Sequence, residues 1–272
     1  MGEFADKYGP WALVVGASDG CGALFAERLA REGVDVVLVA RREHVLQEVA
    51  AGIGERTGAA TRTLAVDLTD PDASQTIIEA TADLEIGMLV YCAGADPNYQ
   101  PFLANPVSVG EALLQRNCLA LMRLCHHYAG LMVERGRGGI VNFSSGAALA
   151  GGPNMVAYGA TKAFDLLFTE GLWSELHDKG IDVLCLLLGM TDTPALRQLA
   201  HSRGQIASLE DIPPGAIPAS DVIDEAFGNL TNGPTLMVGD MMRMAEQVFK
   251  TLSRNDAVRM VNEAGAQAMG SD

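Results

Sequence analysis

Cysteine is scarce in this chain of 272 residues: Cys21, Cys92, Cys118, Cys125 and Cys185 are its five copies, and no two stand in a Cys-x-x-Cys pair. That spacing argues against a disulfide scaffold, a thiol redox pair or a zinc ribbon, and free buried thiols are the expectation. His126 and His127 follow Cys125 directly, but neighbours on a helix point about 100° apart and make no shared ligand set. No metal site is expected. Positive charge is also in short supply. Nineteen Lys and Arg face 34 Asp and Glu, a net charge of −15, and a surface of that sign repels nucleic acid and anionic membranes. Long apolar runs are missing too, none approaching the roughly 18 residues of a membrane helix. The N-terminus, Met1-Gly-Glu-Phe-Ala-Asp6, carries acids and lacks the hydrophobic stretch of a signal peptide. The expected location is the cytoplasm, without membrane insertion.

Short apolar runs are what the chain has instead. Ala12 to Val15, Val34 to Ala40, Thr61 to Val66, Met88 to Tyr91, Gly139 to Phe143, Asp182 to Leu188 and Thr235 to Val238 read as strands, and helical patterns fill the gaps between them. That alternation predicts an α/β fold, a single doubly wound parallel sheet of seven strands with helices on both faces, occupying residues 1–272 as one domain. Two long helices are expected over Val107 to Glu134 and Val156 to Lys179, and a helical tail from about residue 241 to 272. The least regular stretch, Met190 to Pro218, contains Pro194, Pro213, Pro214 and Pro218. Following a strand end, it reads as a substrate lid or as an ordinary surface loop. Met190, Leu196, Leu199, Ile206 and Ile212, with Leu149 and Met155, offer apolar surface for a bulky substrate.

Chemistry gathers around Tyr158, with Lys162 four residues after it and Ser145 thirteen before it. A phenol is a poor base near neutrality. On a helix, however, residues four apart share a face, so the Lys162 ammonium can sit beneath the Tyr158 ring and favour the phenolate. The Ser145 hydroxyl then donates a hydrogen bond to a substrate oxygen and stabilises charge developing there. Such a site moves a proton on and off an alcohol. It lacks a hydride carrier, which no side chain supplies.

A place for the carrier lies near the N-terminus. The run Trp11 to Val15 is followed by Gly16-Ala-Ser-Asp-Gly20-Cys-Gly22 and then a helical pattern. Strand, glycine turn and helix form the context for a dinucleotide pyrophosphate, although this glycine spacing also suits a plain tight turn. The next strand ends Ala40-Arg41-Arg42, without the acidic residue an NAD site places there. Two guanidiniums suit the 2′-phosphate of NADP, the alternative being a solvated arginine pair at a helix start.

Taken together, these motifs resemble the short-chain dehydrogenase/reductase family over nearly the whole chain. The resemblance aligns Gly16, Ser18, Asp19, Gly20, Cys21 and Gly22 with the family's glycine loop, and Asp67 with its adenine-contacting acid, Leu68 following. Tyr91-Cys92-Ala93-Gly94 stands for its Asn-Asn-Ala-Gly segment, where Ala93 and Gly94 would meet cofactor through backbone alone. Asn117 matches the Asn of the long fourth helix, and Ser145, Tyr158 and Lys162 the proton-transfer residues. Gly189, Thr191 and Thr193 fall where the family contacts nicotinamide and phosphate, with Leu188 replacing the usual proline. The resemblance implies Asn117, Ser145, Tyr158 and Lys162 as the catalytic set, NADP(H) as cofactor, and a homodimer or homotetramer. The opening Lys7 to Trp11, the double arginine, Leu188-Gly189 and the tail after Val238 are similar to bacterial 7β-hydroxysteroid dehydrogenases.

The expected activity is therefore NADP-dependent interconversion of a bulky hydrophobic secondary alcohol, such as a hydroxysteroid, with its ketone. A 3-oxoacyl thioester reductase is the alternative, for which Arg197, His201 and Arg203 would form a small docking patch. A non-catalytic NADP-binding regulator is the third reading, although such proteins lose the Tyr or the Lys.

Overall fold

The computed structural model describes residues 2–95 and 99–269. Nine strands are present among them: β1 Trp11–Val15, β2 Asp35–Ala40, β3 Thr61–Ala65, β4 Ile86–Tyr91, β5 Gly138–Ser145, β6 Ile181–Leu188, β7 Thr191–Asp192, β8 Ile217–Pro218 and β9 Thr235–Met237. Seven form one parallel sheet in the order β3-β2-β1-β4-β5-β6-β9, and β7 pairs with β8 apart from it. The helices are α1 Glu3–Tyr8, α2 Gly20–Arg31, α3 Glu43–Thr57, α4 Ala73–Ala80, α5 Val107–Leu114, α6 Ala120–Arg135, α7 Val156–Leu176, α8 Pro194–Ser202, α9 Ala219–Phe227, α10 Asp240–Thr251 and α11 Arg254–Met269. Among the described residues no helix is long and apolar enough to cross a membrane.

Side-chain alternation along the strands builds a core on each face of the sheet. Ala12, Val14, Val36 and Leu38 pack with Phe25 and Leu29 of α2 and Leu46 of α3. Their immediate neighbours Leu13, Val15, Val37 and Val39 point the other way, into Leu121, Leu124 and Tyr128 of α6 and Ile77 of α4. Phe25 is fully buried, its ring centroid 4.9 Å from that of Phe227 on α9 and 6.0 Å from that of Phe143 on β5. Truncating it to Ala would cost about 3–5 kcal/mol through lost contacts and an unfilled cavity.

Four local features differ from the expectation. The helix α1 precedes the first strand. The expected helix over Val107 to Glu134 is broken by a π turn, Gln115–Leu119, between α5 and α6. The stretch after β6 is more ordered than its prolines suggest: β7 and β8 pin its two ends together, pairing Thr191 with Ile217, and α8 fills its first part. Thr193 caps α8 by accepting a hydrogen bond from Leu196 N at 3.2 Å, and Pro194 occupies the first turn, where its missing N–H is no loss. Ile206, expected to offer surface to a substrate, is buried packing, whereas Met190 and Ile212 are exposed. The chain after β9 carries α10 and α11, residues 270–272 lying outside the described residues.

Candidate active site

Sheet order decides where loops converge. β1 lies between β2 and β4, so the chain leaves in opposite directions from the ends of β1 and β4 and opens a crevice between them. Gly16 closes the turn after β1 with φ +93, and a Cβ there would stand 2.7 Å from Ala93 N. Gly22, in the first turn of α2, has the carbonyl oxygen of Gly16 2.1 Å from where its Cβ would be. Neither position admits a side chain. The N-cap of α2 is Asp19, whose side chain makes no capping hydrogen bond, so the first N–H groups of this helix remain available to an anion. Gly20 (φ +53) lies against Thr193, a Cβ there coming 3.0 Å from Thr193 Cγ2. The glycine loop and the chain after β6 therefore meet.

The two arginines after β2 behave differently. Arg42 Nη2 donates to Ser18 Oγ at 3.1 Å and is ion-paired with Asp19. Arg41 is exposed and hydrogen-bonds to none of the described residues, though its charge reaches Asp67. Asp67 accepts from Thr69 N at 3.0 Å and Thr69 Oγ1 at 2.8 Å. Partial burial would raise this carboxyl, but the Thr69 hydrogen bonds and the Arg41 and Arg116 charges outweigh that and hold it below the usual carboxylate range. Leu68 beside it is buried.

Asn117 sits within the π turn and is buried. Its Nδ2 donates to Thr161 Oγ1 at 2.8 Å and Gly94 O at 3.3 Å, and its Oδ1 accepts from Arg116 Nε at 3.1 Å. The extra backbone residue of a π turn redirects this side chain from the helix face toward the sheet edge. Tyr91, occupying an Asn position of the related family, donates its hydroxyl to Arg116 O. A tie between strand end and π turn is thus made by a phenol. Gly94 (φ +136) is the meeting point, since a Cβ there would be 3.0 Å from both Asn117 Oδ1 and Lys162 Nζ.

On α7, Lys162 is buried and its Nζ lies 5.9 Å from the centroid of the half-buried Tyr158 ring. The ammonium donates to Phe143 O at 2.7 Å and to Asp165 Oδ2 at 2.9 Å. Burial opposes its charge, yet Asp165 and Tyr158 more than offset this and hold the lysine above its ordinary range. Ser144 Oγ donates to Lys162 O at 2.8 Å, fastening the end of β5 to α7. Ser145 follows, half-buried, its Oγ accepting from Ala147 N at 3.2 Å. A Cβ on Gly159 would stand 3.2 Å from Ala147 O, so this loop rests on the turn of α7 that carries Tyr158. Thr191 is buried beside Gly189, whose carbonyl it approaches at 3.5 Å. A cavity of about 310 Å³ lies beyond them, lined by Asp192, Thr193, Pro194, Arg197, Gln198 and Leu209.

The residues expected at the site lie at the end of β5, on the chain that follows β1, β2, β3, β4 and β6, and on α2, α7 and the π turn packed beside those strand ends. Three further residues bond to members of this set: Asp165, Thr161 and Thr69. The first two stand three residues after Lys162 and one before it, a spacing that puts Asp165 on the lysine's own face of α7. Two residues of the expected docking patch are otherwise engaged. Arg197 makes a bidentate pair with Asp192 at 2.6 and 2.7 Å, and the Arg203 guanidinium stacks 4.7 Å over the Tyr99 ring.

Residues 10–204 match the model of the short chain dehydrogenase family. A 7β-hydroxysteroid dehydrogenase of Clostridium sardiniense is 34% identical over 260 residues, covering 94% of this chain and 95% of that protein. A solved 7β-hydroxysteroid dehydrogenase shares the fold with a TM-score of 0.86 at 30% identity, over 95% of this chain and 98% of the other. A short-chain dehydrogenase of Sphingobium yanoikuyae, solved in complex with NADPH, follows at TM-score 0.74 and 32% identity, over 90% and 96% of the two chains.

Proposed function

The chain belongs to the short-chain dehydrogenase family and is an oxidoreductase acting on CH–OH groups, and from that premise we propose that it interconverts a hydroxysteroid and the corresponding ketone with NADP(H). One observation carries the reading: the Lys162 ammonium is buried 5.9 Å from the Tyr158 ring centre, at the sheet edge where the glycine loop opens.

The residues present fit a dinucleotide. Gly16, Gly22 and Gly94 are positions where a Cβ would collide with neighbouring backbone or with site side chains, so the loop folds tightly against the strand ends and holds the uncapped N-terminus of α2 at the crevice, where its N–H groups can meet a phosphate. Gly16, Ser18, Asp19, Gly20, Cys21 and Gly22 would hold the pyrophosphate, and Arg41 with Arg42 the 2′-phosphate. Asp67 and Leu68 would border the adenine. Ala93, Gly94, Gly189, Thr191 and Thr193 would border the nicotinamide half, and Tyr158 and Lys162 its ribose. The bound cofactor supplies or accepts the hydride. Protein groups handle the proton. Tyr158 passes it to or takes it from the substrate oxygen, Ser145 orients that oxygen, and Lys162 favours the phenolate through its charge. Asn117, bonded to Gly94 and Thr161, fixes the strand end beside them.

Steroid size is supported by the relative of which the match covers 95%, by Leu209 in the lining of the cavity beside Thr193, and by the exposed Met190 and Ile212 in the same stretch after β6. A carrier-delivered acyl thioester is less well served, because Asp192 neutralises Arg197. Exposed Val107, Leu114 and Leu167 on α5 and α7 support a homo-oligomer. The test is turnover of 7-hydroxysteroids with NADP⁺ and 7-oxosteroids with NADPH, beside 3-oxoacyl thioesters, followed by absorbance of the reduced cofactor. Steroid turnover is expected; turnover of the thioesters alone would overturn the reading.

A further inference from the structure

Asp165 has no part in the proton transfer assigned to Tyr158 and Lys162, yet it is the counter-ion of that lysine. It is 2% exposed, and its Oδ2 accepts from Lys162 Nζ at 2.9 Å while Oδ1 is buried without a hydrogen-bond partner. Its main chain is pinned as well, Asp165 O accepting from Thr169 Oγ1 at 2.6 Å and from Asn142 Nδ2 at 3.4 Å. Around it stand Tyr91 on β4, Cys118 in the π turn, Cys125 on α6 and Cys185 on β6, all held protonated by burial. Arg116 acts on Tyr91, and Glu170 on Cys185. Among the described groups, the charge that Asp165 itself meets is that of Lys162.

Fold stability gives little reason for such a pair. A buried ion pair roughly breaks even with well-packed apolar residues of the same volume. Its effect is on charge. An unpaired ammonium beside a phenol favours the phenolate, and a carboxylate in contact with that ammonium offsets part of its field.

We propose that Asp165 is a positioning residue, holding the Lys162 ammonium against Phe143 O and screening its charge from Tyr158, so that the site is set for ketone reduction. In that direction the carbonyl carbon gains a hydride from the reduced nicotinamide and the carbonyl oxygen takes the Tyr158 proton. The C=O double bond becomes C–O with new C–H and O–H bonds, the cofactor leaves oxidised, and solvent returns a proton to the phenolate. With Asp165 2.9 Å from its Nζ, the Lys162 ammonium presents less positive charge to the Tyr158 ring 5.9 Å away than a lone lysine would. The inference rests on the assignment of Tyr158 and Lys162 to proton transfer.

The experiment titrates Tyr158 directly in the full-length protein, without substrate. The tyrosinate ultraviolet difference spectrum between the parent and its Tyr158→Phe variant isolates this phenol, and the same pair is measured in the Asp165→Asn background. The midpoint is expected to fall by about half a pH unit or more in Asp165→Asn, and to return toward its original position in Asp165→Glu. With a 7-oxosteroid and NADPH, the alkaline fall in reductive rate should move by the same amount. Asp165→Leu, apolar and close in size, gives the same comparison if the Asn variant does not fold. A midpoint that stays in place or moves upward overturns the proposal, even where thermal stability has changed. Activity surviving in Tyr158→Phe would instead bring down the underlying assignment, so the two failures are distinguishable.

Discussion

Arg42 is ion-paired with Asp19 across the glycine loop, while Arg41 beside it hydrogen-bonds to none of the described residues. The two guanidiniums are therefore unequal as phosphate ligands. Arg42 must share its charge with a carboxylate, whereas Arg41 can turn to a 2′-phosphate without breaking a bond. Arg41→Ala is expected to raise KM for NADPH at least about tenfold, corresponding to loss of ~1.4 kcal/mol or more from a charge-assisted contact. Arg42→Ala should have a smaller effect, and KM for NADH should barely change in either variant. Initial rates over cofactor concentration check this. Equal effects on both cofactors would show that neither arginine reads the phosphate.

Tyr158→Phe removes one oxygen and keeps the ring over Lys162. Turnover is expected to fall by about two to four orders of magnitude, the range of a lost general acid or base. Binding of NADPH, measured by quenching of protein fluorescence, should stay within a few-fold. Ser145→Ala should lower kcat more than it raises KM, because the hydroxyl is assigned to stabilising charge that develops during the reaction.

Much of this architecture is legible in the sequence because it rests on short-range chemistry. The runs at Ala12 to Val15 and Val36 to Val39 must be buried on both faces, so continuous Val and Leu mark them as inner strands. The glycine loop is legible for a related reason, Gly16 and Gly22 standing where no Cβ fits. The π turn at Asn117 is not. Its sequence, Gln-Arg-Asn-Cys-Leu, has ordinary helix formers, and the distortion is supported by tertiary bonds from Tyr91, Gly94 and Thr161. Asp165 is hidden likewise, since a carboxylate three residues after a lysine usually means a solvated helix pair, and only the packing of α7 on β5 and β6 buries it.

The Tyr91 hydroxyl offers a sharp test of that π turn. Its removal in Tyr91→Phe leaves Arg116 O without this donor in a partly buried setting, for a cost of about 1–3 kcal/mol. Chemical denaturation should register that loss. Because Arg116 adjoins Asn117, kcat is expected to fall alongside stability. A variant losing stability with kcat intact would separate the strand-end tie from the alignment of the site.

Acid stability should depend on carboxylates remote from the reaction. Glu27 is held below its usual range first by its hydrogen bond from Arg56, and Asp192 first by its hydrogen bond from Arg197. A carboxyl lowered in the folded state binds protons more tightly when unfolded. Its contribution is therefore complete above the unfolded values of 4.5 for Glu and 3.8 for Asp and is lost as pH falls through the lower folded values. Thermal melts of the parent should drop steeply below about pH 4.5. Glu27→Gln is expected to melt lower at pH 7 and to lose less on acidification, because Gln has no proton to take up. The two melting curves should converge toward low pH, and curves that stay parallel down to the acid limit would show that this pair plays no part in the acid transition.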